Sequence, residues 1–342
     1  MAIRINCRVA SYYALDSLEG GFALSDQNNV LVTGGCGFLG RHVVSRLAAQ
    51  GCHVTILDDL SAGTPLDTAD ASIKFVNGDI ADPGTILAVL GERPFDHVIH
   101  LAAIHFIPRC EADPGAAFMA NVVGTRNLVE ALVPSSSLKS LVFASSVAVY
   151  APSVEVLSED ADTVPMDIYG WSKLVCEDLV RSASVRGGWR AVCCRLSNLI
   201  GPGETNPHLF PEIGRQIARG EALIEVGNTT PRRNYLHVMD AADLFVRCLG
   251  LSGSDVHTIN FGSGEEYSVA DILSLFQKAA QRPIKFVETA ARKRKVDRPR
   301  LQPNTTVMRG LIGEPQRSAE DAIKAVLMEF ALETQTKWSS TG

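Results

Sequence analysis

Between residues 29 and 200 the chain alternates short apolar stretches with segments of helical spacing. The apolar stretches have the composition of buried parallel strands, and they lie at 29–33, 53–57, 74–76, 97–101, 140–144 and 191–196. Apolar residues at helical intervals lie between them, over 40–50, 85–90, 118–133 and 169–185. This alternation predicts an α/β fold with a doubly wound parallel sheet, because right-handed crossovers leave few other topologies.

The pattern changes after residue 200. Prolines separate shorter elements there, with helices predicted at 209–219 and 269–280 and strands at 258–261 and 284–287. We therefore expect three parts: an N-terminal arm over 1–28, a first domain over 29–200, and a smaller α+β lobe over 201–342. Some segments of that lobe are expected to return to the first domain.

Composition excludes several classes of protein. Lys+Arg number 32 and Asp+Glu 38, so the net charge of −6 argues against a dedicated nucleic-acid binder, and 6% aromatic residues are too few for a base-stacking platform. No apolar run is long enough to span a membrane, and the N-terminus lacks the core of a secretory signal. The 8 cysteines include no Cys-x-x-Cys pair, so no metal site is predicted. We interpret them as reduced core residues of a cytoplasmic protein, with a catalytic thiol as the alternative.

A glycine-rich turn, Thr33-Gly34-Gly35-Cys36-Gly37-Phe38-Leu39-Gly40, follows the first predicted strand. Glycines there let the backbone approach a pyrophosphate at the start of the next helix. Asp58 ends the second strand, where a carboxylate accepts hydrogen bonds from an adenosine ribose and repels a 2′-phosphate. No arginine occupies 57–67, so NAD is favoured over NADP. The alternative for Asp58 is a solvated loop acid.

Ser145 and Ser146 follow the fifth strand, and Tyr169 and Lys173 lie four residues apart on one face of a predicted helix. A nearby ammonium, together with the positive charge of a nicotinamide, would lower the pKa of Tyr169 toward neutrality. The phenol could then exchange a proton with a sugar hydroxyl, with Ser146 bonded to the same oxygen. Tyr-x-x-x-Lys alone is common, but its position after the glycine turn and the serines makes it specific.

The ordered motifs resemble the extended short-chain dehydrogenase/reductase family, in its NAD-dependent nucleotide-sugar epimerase/dehydratase branch. Besides those above, the matching segments are 78–80, 100–103, 121–125, 195–202, 233–240 and 260–264, and 233–240 is especially similar to UDP-galactose 4-epimerases. The resemblance extends over residues 29 to about 330. It implies a Rossmann-like first domain that holds NAD through each turnover and a second lobe that holds the nucleotide sugar.

The resemblance also implies roles for individual residues. Ser146, Tyr169 and Lys173 would be catalytic, with Tyr169 taking the proton of the C4 hydroxyl and Lys173 binding the nicotinamide ribose. The expected NAD contacts are Gly34, Gly37, Phe38, Leu39, Gly40, Asp58, Asp79, Ile80, Leu101, Ala102, Ala103, Asn121, Ser145, Tyr169 and Lys173. The expected substrate contacts are His105, Ser146, Asn198, Arg233 and Arg294, for which Arg298 and Arg300 are alternative registers. The basic run at 292–295 could also be a solvated loop.

Val147 and Ala148 occupy the positions where dehydratases of this family carry an Asp-Glu pair. Neither can move a proton, so the resemblance favours C4 epimerisation of a UDP-sugar through a 4-keto intermediate. The enzymatic alternatives are a dehydratase, a 5-epimerase with His105 as acid–base, and a net reductase. Any of these could belong to specialised sugar biosynthesis. A non-catalytic dinucleotide sensor is the other class.

Three further expectations rest on the resemblance. Asn234 and Ser197 replace a common Asp and a common aromatic residue, which would reshape the pocket. Leu301 lies near the position that limits the sugar's C2 substituent and leaves hydroxyl and N-acetyl open. Relatives commonly form homodimers through two helices, for which 118–133 and 174–185 are the candidates.

Overall fold

The computed structural model describes residues 28–66, 70–292 and 298–339. Its strands are β1 (Asn29–Thr33), β2 (His53–Asp58), β3 (Ile73–Asn77), β4 (His97–His100), β5 (Ser140–Ser146), β6 (Arg190–Leu196), β7 (Asn198–Ile200), β8 (Leu223–Val226), β9 (Arg232–His237), β10 (Val256–Phe261), β11 (Glu266–Ser268), β12 (Lys285–Glu288) and β13 (Arg300–Leu301).

The α-helices are α1 (Phe38–Ala49), α2 (Pro83–Glu92), α3 (Ile107–Ala112), α4 (Pro114–Phe118), α5 (Gly124–Leu132), α6 (Ile168–Gly187), α7 (Leu209–Ala218), α8 (Val238–Cys248), α9 (Val269–Ala280), α10 (Thr306–Ile312) and α11 (Ala319–Ser339). A π-helical turn, Met119–Val123, joins α4 to α5. Short 3-10 turns cover Val147–Val149 and Ala290–Arg292.

Seven parallel strands form the main sheet in the order β10-β6-β5-β4-β1-β2-β3. The connections diverge on either side of β1, so a crevice opens at the carboxyl ends of β1 and β4. All six strands predicted before residue 200 belong to this sheet. The predicted α/β class with a doubly wound parallel sheet is confirmed.

Helices cover both faces of the sheet. On one face α1 and α8 pack through residues such as Val43, Leu47 and Phe245. On the other face α2, α5 and α6 contribute residues such as Leu128 and Val180. Because α8 and β10 both follow residue 201, the later part of the chain returns to complete the first layer and the sheet.

The second lobe is built on smaller sheets. β9 pairs with β7, β11 and β13, and β8 pairs with β12. Helices α7, α9 and α11 pack there around Phe210, Phe276 and Ile323. Ser268 and Asp271 begin α9 with a reciprocal capping box, which explains the sharp start of that predicted helix.

The cysteines agree with the prediction from the sequence, and one predicted helix does not. The seven cysteines within the described residues are all buried and free, as predicted for core thiols, and Cys7 lies outside those residues. The helix predicted at 118–133 is instead α4, the π turn and α5 in succession, and α3 is a short helix that the sequence did not predict. Within the described ranges, no helix is both long and apolar enough to cross a membrane.

Candidate active site

One large cleft of ≈ 1370 Å³ lies between the carboxyl ends of the parallel strands and the second lobe. The cleft lining includes every site residue predicted from the sequence except two. Asn121 lies behind the lining, and Arg294 lies outside the described residues. The topology therefore collects most of the predicted residues at one place.

The glycine turn is packed too tightly for side chains. Gly34 has a φ of +73°, and a Cβ there would lie 2.6 Å from the backbone nitrogen of Ala102. A Cβ on Gly40 would lie 2.1 Å from the carbonyl oxygen of Gly34. Gly37 is the N-cap of α1 and has no side chain that could bind the backbone amides of the first turn. Those amides therefore face the cleft side of the glycine turn without a side-chain cap. This cradle fits a dinucleotide pyrophosphate.

Asp58 is buried, so it is not a solvated loop acid. Its Oδ2 accepts a hydrogen bond from the backbone nitrogen of Cys36 at 2.9 Å, and its Oδ1 accepts one from the backbone nitrogen of Leu60 at 2.8 Å. The carboxylate thus fixes the glycine turn against the end of β2 while lining the cleft.

Tyr169 reaches Ser146 because the start of α6 is firmly placed. Asp167 caps that helix by accepting a hydrogen bond from the backbone nitrogen of Gly170 at 2.7 Å. Glu111 accepts another from the backbone nitrogen of Ile168 at 2.9 Å. The Ser146 hydroxyl is close enough to the Tyr169 phenol to lower its pKa. Both side chains line the cleft, as a Ser–Tyr pair acting on one substrate would require.

Burial dominates the electrostatics of the pair formed by Tyr169 and Lys173. It raises the pKa of Tyr169 above its ordinary value, with only the bond to Ser146 acting in the opposite direction. A lowering of this pKa by Lys173 together with the positive charge of a nicotinamide stays a prediction. Burial also lowers the pKa of Lys173 to about 8, so the lysine is mainly charged at neutral pH.

The Lys173 ammonium lies 4.8 Å from the ring centroid of Phe143 and 5.8 Å from that of Tyr169. Within the described part of the chain, no carboxylate comes within 4.0 Å of it. A buried cation is costly without hydrogen-bond acceptors, so this site favours a ligand that brings oxygen atoms to it. The hydroxyl groups of a cofactor ribose fit that requirement.

Asn121 supports the cleft from behind. Its amide forms two hydrogen bonds with the backbone of Ile104, at 2.7 and 3.0 Å, and a third with Ser172 at 2.9 Å. It therefore connects the loop after β4 to α6. Nearby, His100 bridges Thr33 at 2.6 Å and Thr125 at 2.9 Å. Sequence reasoning placed His100 in a motif but did not identify this structural role.

The side chain of Ser145 is turned toward α6, where its hydroxyl donates to Glu177 at 2.5 Å. Arg195 also pairs with Glu177, at 2.8 Å, beneath the strand end that carries Ser146. Glu177 is 1% exposed, and the predictions from sequence did not include it. This buried pair anchors β5, β6 and α6 to one another.

Two departures from the family pattern contact each other. Ser197 donates to Oδ1 of Asn234 at 2.9 Å, and the Asn234 amide donates to the carbonyl of Glu265 at 2.8 Å. Both side chains are buried, and the hydrogen bond between them joins β9 to the end of β6. Asn198, the next residue, is exposed toward the cleft.

The arginines after residue 290 have different surroundings. Arg300 pairs with Glu266 at 2.7 Å. Arg298 is 9% exposed, lines the cleft, and donates to the carbonyl oxygens of Ala148 and Tyr150, both at 3.0 Å. Arg298 therefore ties the later chain to the turn after Ser146, which the spacing of the basic residues did not reveal.

His105 lies in a polar cluster at the mouth of the cleft. Its Nε2 is 3.0 Å from the side-chain nitrogen of Asn206, and its ring centroid is 6.2 Å from that of His208. Glu204 approaches His208 at 3.3 Å. Burial lowers the pKa of His105, so its imidazole is neutral near pH 7. In the sequence, this loop was marked only by the prolines that separate short elements after residue 200.

A doubly wound sheet, a glycine turn after β1 and a buried Ser–Tyr–Lys set define an enzyme of the extended short-chain dehydrogenase/reductase class. The model of the NAD-dependent epimerase/dehydratase family matches residues 30–262. The chain belongs to that family.

Individual relatives show the range of activities in similar chains. The bifunctional UDP-glucose 4-epimerase and UDP-xylose 4-epimerase 3 of Arabidopsis thaliana is 32% identical, over 76% of this chain and 83% of the relative. The GDP-6-deoxy-D-mannose reductase of Pseudomonas aeruginosa is 28% identical, over 88% and 96%. The crystal structure of UDP-glucose 4-epimerase from Brucella ovis in complex with NAD has a TM-score of 0.80 and 28% identity, over 89% of this chain and 98% of that one.

Proposed function

We propose that this enzyme interconverts a UDP-sugar and its C4 epimer through a transient 4-keto sugar, with NAD as a retained cofactor. One observation carries the proposal. Ser146, Tyr169 and Lys173 converge in the cleft, while the adjoining positions hold Val147 and Ala148. The site can therefore move the C4 hydroxyl proton but has no acid–base pair at those positions for eliminating water.

The residues that would hold NAD fit it physically. Gly34, Gly37 and Gly40 form the pyrophosphate cradle, and Phe38 and Leu39 begin α1 beside it. Asp58, Asp79 and Ile80 would contact the adenosine, and Leu101, Ala102 and Ala103 the middle of the dinucleotide. Lys173 offers its ammonium to the nicotinamide ribose, while Ser145 and Asn121 support the site through the contacts described above.

When bound, NAD would reversibly accept a hydride, which is the C4 hydrogen with its electron pair, from the sugar. Tyr169 accepts the proton of the C4 hydroxyl at Oη and returns it after the 4-keto sugar has presented its other face. Ser146 hydrogen bonds to the same sugar oxygen and orients it. Because burial raises the pKa of Tyr169, formation of the phenolate depends on positive charge near the ring, which Lys173 and the oxidised nicotinamide supply.

The substrate-binding roles proposed here follow from where the residues lie in the cleft or in the sequence. Asn198 and Arg233 line it and would bind the nucleotide diphosphate, for which arginine forks are well suited. Arg294 is proposed for the same role from its sequence position alone. His105 and Leu301 lie where the sugar would sit.

A net reductase is the second candidate, because a relative of similar coverage is a GDP-6-deoxy-D-mannose reductase. A reductase consumes one reduced cofactor per product, whereas the proposed epimerase needs none. A 5-epimerase is less consistent with the site, since the ring nitrogen of His105 that faces Asn206 is already engaged.

A homodimer is part of the proposal. Apolar side chains on α4, the π turn and α6 are exposed, including Phe118 at 53%, Trp171 at 55% and Val185 at 78%. Burying this surface against a second copy would remove it from water. Phe118→Glu is expected to convert a dimer to a monomer in light scattering, and an unchanged mass would contradict this interface.

Buried free thiols support a cytoplasmic location.

The reaction is tested by incubating the purified enzyme with UDP-glucose, UDP-N-acetylglucosamine and UDP-glucuronate without added reductant. At least one should give its C4 epimer, identified by NMR. A 4-keto-6-deoxy product would overturn the proposal. Product formation that requires one NADH per turnover would favour the reductase.

A further inference from the structure

Residues 201–208, called here the strap, cross the mouth of the cleft between its two rims. On the rim after β2, the hydroxyl of Thr205 donates to the carbonyl of Ala62 at 3.3 Å. On the rim after β4, the side-chain nitrogen of Asn206 lies 3.0 Å from Nε2 of His105. Two consecutive residues thus join loops that are far apart in the sequence.

The strap is also fixed at its beginning. Gly203 has a φ of +90°, and a Cβ built there would lie 3.7 Å from Cδ of Arg41 and 4.0 Å from the ring of Phe38, both in the first turns of α1. The Gly203 amide donates to Glu329 of α11 at 3.0 Å. The strap therefore passes directly beside the helix whose first turn forms the pyrophosphate cradle.

Glu204 organises the strap internally. Its side chain is 6% exposed, and its carboxylate accepts the backbone amide of Asn206 at 3.0 Å and approaches His208 at 3.3 Å. The bond and charge of His208 lower the pKa of Glu204 although burial opposes them, so the carboxylate is ionised near neutral pH. Neutral His105 can accept the hydrogen bond from Asn206.

Two of the attachment points, Ala62 and His105, lie at opposite ends of the proposed dinucleotide site. Ala62 adjoins the glycine turn, since a Cβ on its neighbour Gly63 would lie 2.4 Å from the carbonyl of Cys36. His105 lies at the opposite end, where the charge of Lys173 acts on it. A dinucleotide that extends from Asp58 to Lys173 would lie under the strap along its length.

We propose that the strap retains NAD through repeated turnovers, and that Asn206 is the positioning residue that closes it by binding His105. This inference rests on the proposed NAD site. A retained cofactor is what a reaction without net redox change requires, because the electron pair taken from the sugar must return to the same molecule. Exchange of the dinucleotide requires the Asn206–His105 and Thr205–Ala62 bonds to break.

The test is the rate at which bound NAD exchanges for labelled NAD in the purified holoenzyme. Asn206→Ala should exchange roughly five- to tenfold faster than the unaltered protein, as expected for loss of the part-buried bond to His105 together with the longer contact with Glu204. Thr205→Val removes only the exposed bond at the other rim and should accelerate exchange about twofold to threefold. The matched control is Asn304→Ala, which removes a bond to the Thr306 amide outside the cleft and should not change the rate.

Thermal unfolding of each variant establishes that the fold is intact. If both strap variants exchange NAD at the rate of the unaltered protein, within experimental error, the proposed role of the strap is wrong. Faster exchange in the strap variants, in an enzyme that forms no C4 epimer from any UDP-sugar, would support the strap while overturning the proposed reaction. The two proposals therefore fail separately.

Discussion

Gly170 packs against the carbonyl oxygen of Ala148 so closely that a Cβ at position 170 would lie 2.5 Å from that oxygen. This contact brings the first turn of α6 against the turn that follows Ser146. The distance between the two proposed catalytic side chains, Ser146 and Tyr169, is therefore limited by a residue that has no side chain.

Gly170→Ala should push α6 away from that turn and separate Tyr169 from Ser146. A displacement near 1 Å in a reacting group costs about 10²-fold in rate, so kcat should fall by about that factor. The control is Gly91→Ala in α2, where a Cβ would meet nothing within 4 Å. Steady-state kinetics of both variants check this, and equal activities would show that the Gly170 contact does not place Tyr169.

Tyr169→Phe should remove turnover while leaving the dinucleotide bound. The phenol is the proposed proton acceptor, and loss of such a group costs about 10²–10⁴-fold in rate. NAD content is measured by absorbance after denaturation, alongside the initial rate. Activity close to that of the unaltered enzyme would exclude Tyr169 as the acid–base.

Asn121→Ala should loosen the loop after β4, because the amide makes two hydrogen bonds to Ile104 and one to Ser172. Three lost bonds at about 1 kcal/mol each predict a lower free energy of unfolding by roughly 2–3 kcal/mol, together with weaker NAD binding. Denaturant unfolding and NAD titration measure the two effects. Asn304→Ala is a control of the same type, since its bond to the Thr306 amide lies outside the cleft. A variant with unchanged NAD affinity would contradict the supporting role of Asn121.

The pH dependence of the rate should report Lys173. Burial lowers its pKa to about 8, so the ammonium is lost as the pH rises above about 8 and the rate should fall there. Stability changes in the opposite direction. The unfolded chain binds this proton more tightly than the folded one, so the contribution of Lys173 to the free energy of unfolding increases between about pH 8 and its ordinary pKa. Lys173→Met should lack both effects, and a profile unchanged by that substitution would assign the alkaline limb to another group.

The first domain could be predicted from the sequence because each of its strands is short, apolar and followed by a polar or glycine-rich end. The parallel sheet then brings those ends together, which is why Gly34, Asp58 and Ser146 meet in one cleft. The second lobe was less predictable. β9 begins with two arginines and continues with four consecutive buried residues instead of alternating, and α8 packs on the first domain although it follows β9 in the chain.

The contacts that the sequence did not predict are ones that spacing does not encode. Asn206 meets His105, and Arg298 meets the turn at Ala148, only after the two lobes have packed together. Ser197 and Asn234 looked like two separate departures from the family pattern, yet they form one hydrogen bond. The elevated pKa of Tyr169 arises from burial, which the i, i+4 spacing to Lys173 could not show.

The central claim is that the C4 hydrogen leaves the sugar and returns to it within one turnover. Its most direct test is a UDP-sugar labelled with deuterium at C4, incubated with the purified holoenzyme without free cofactor. We expect the C4 epimer with deuterium still at C4, as observed by NMR. Deuterium transferred to a released cofactor, or a product that has lost the C6 hydroxyl, would contradict it.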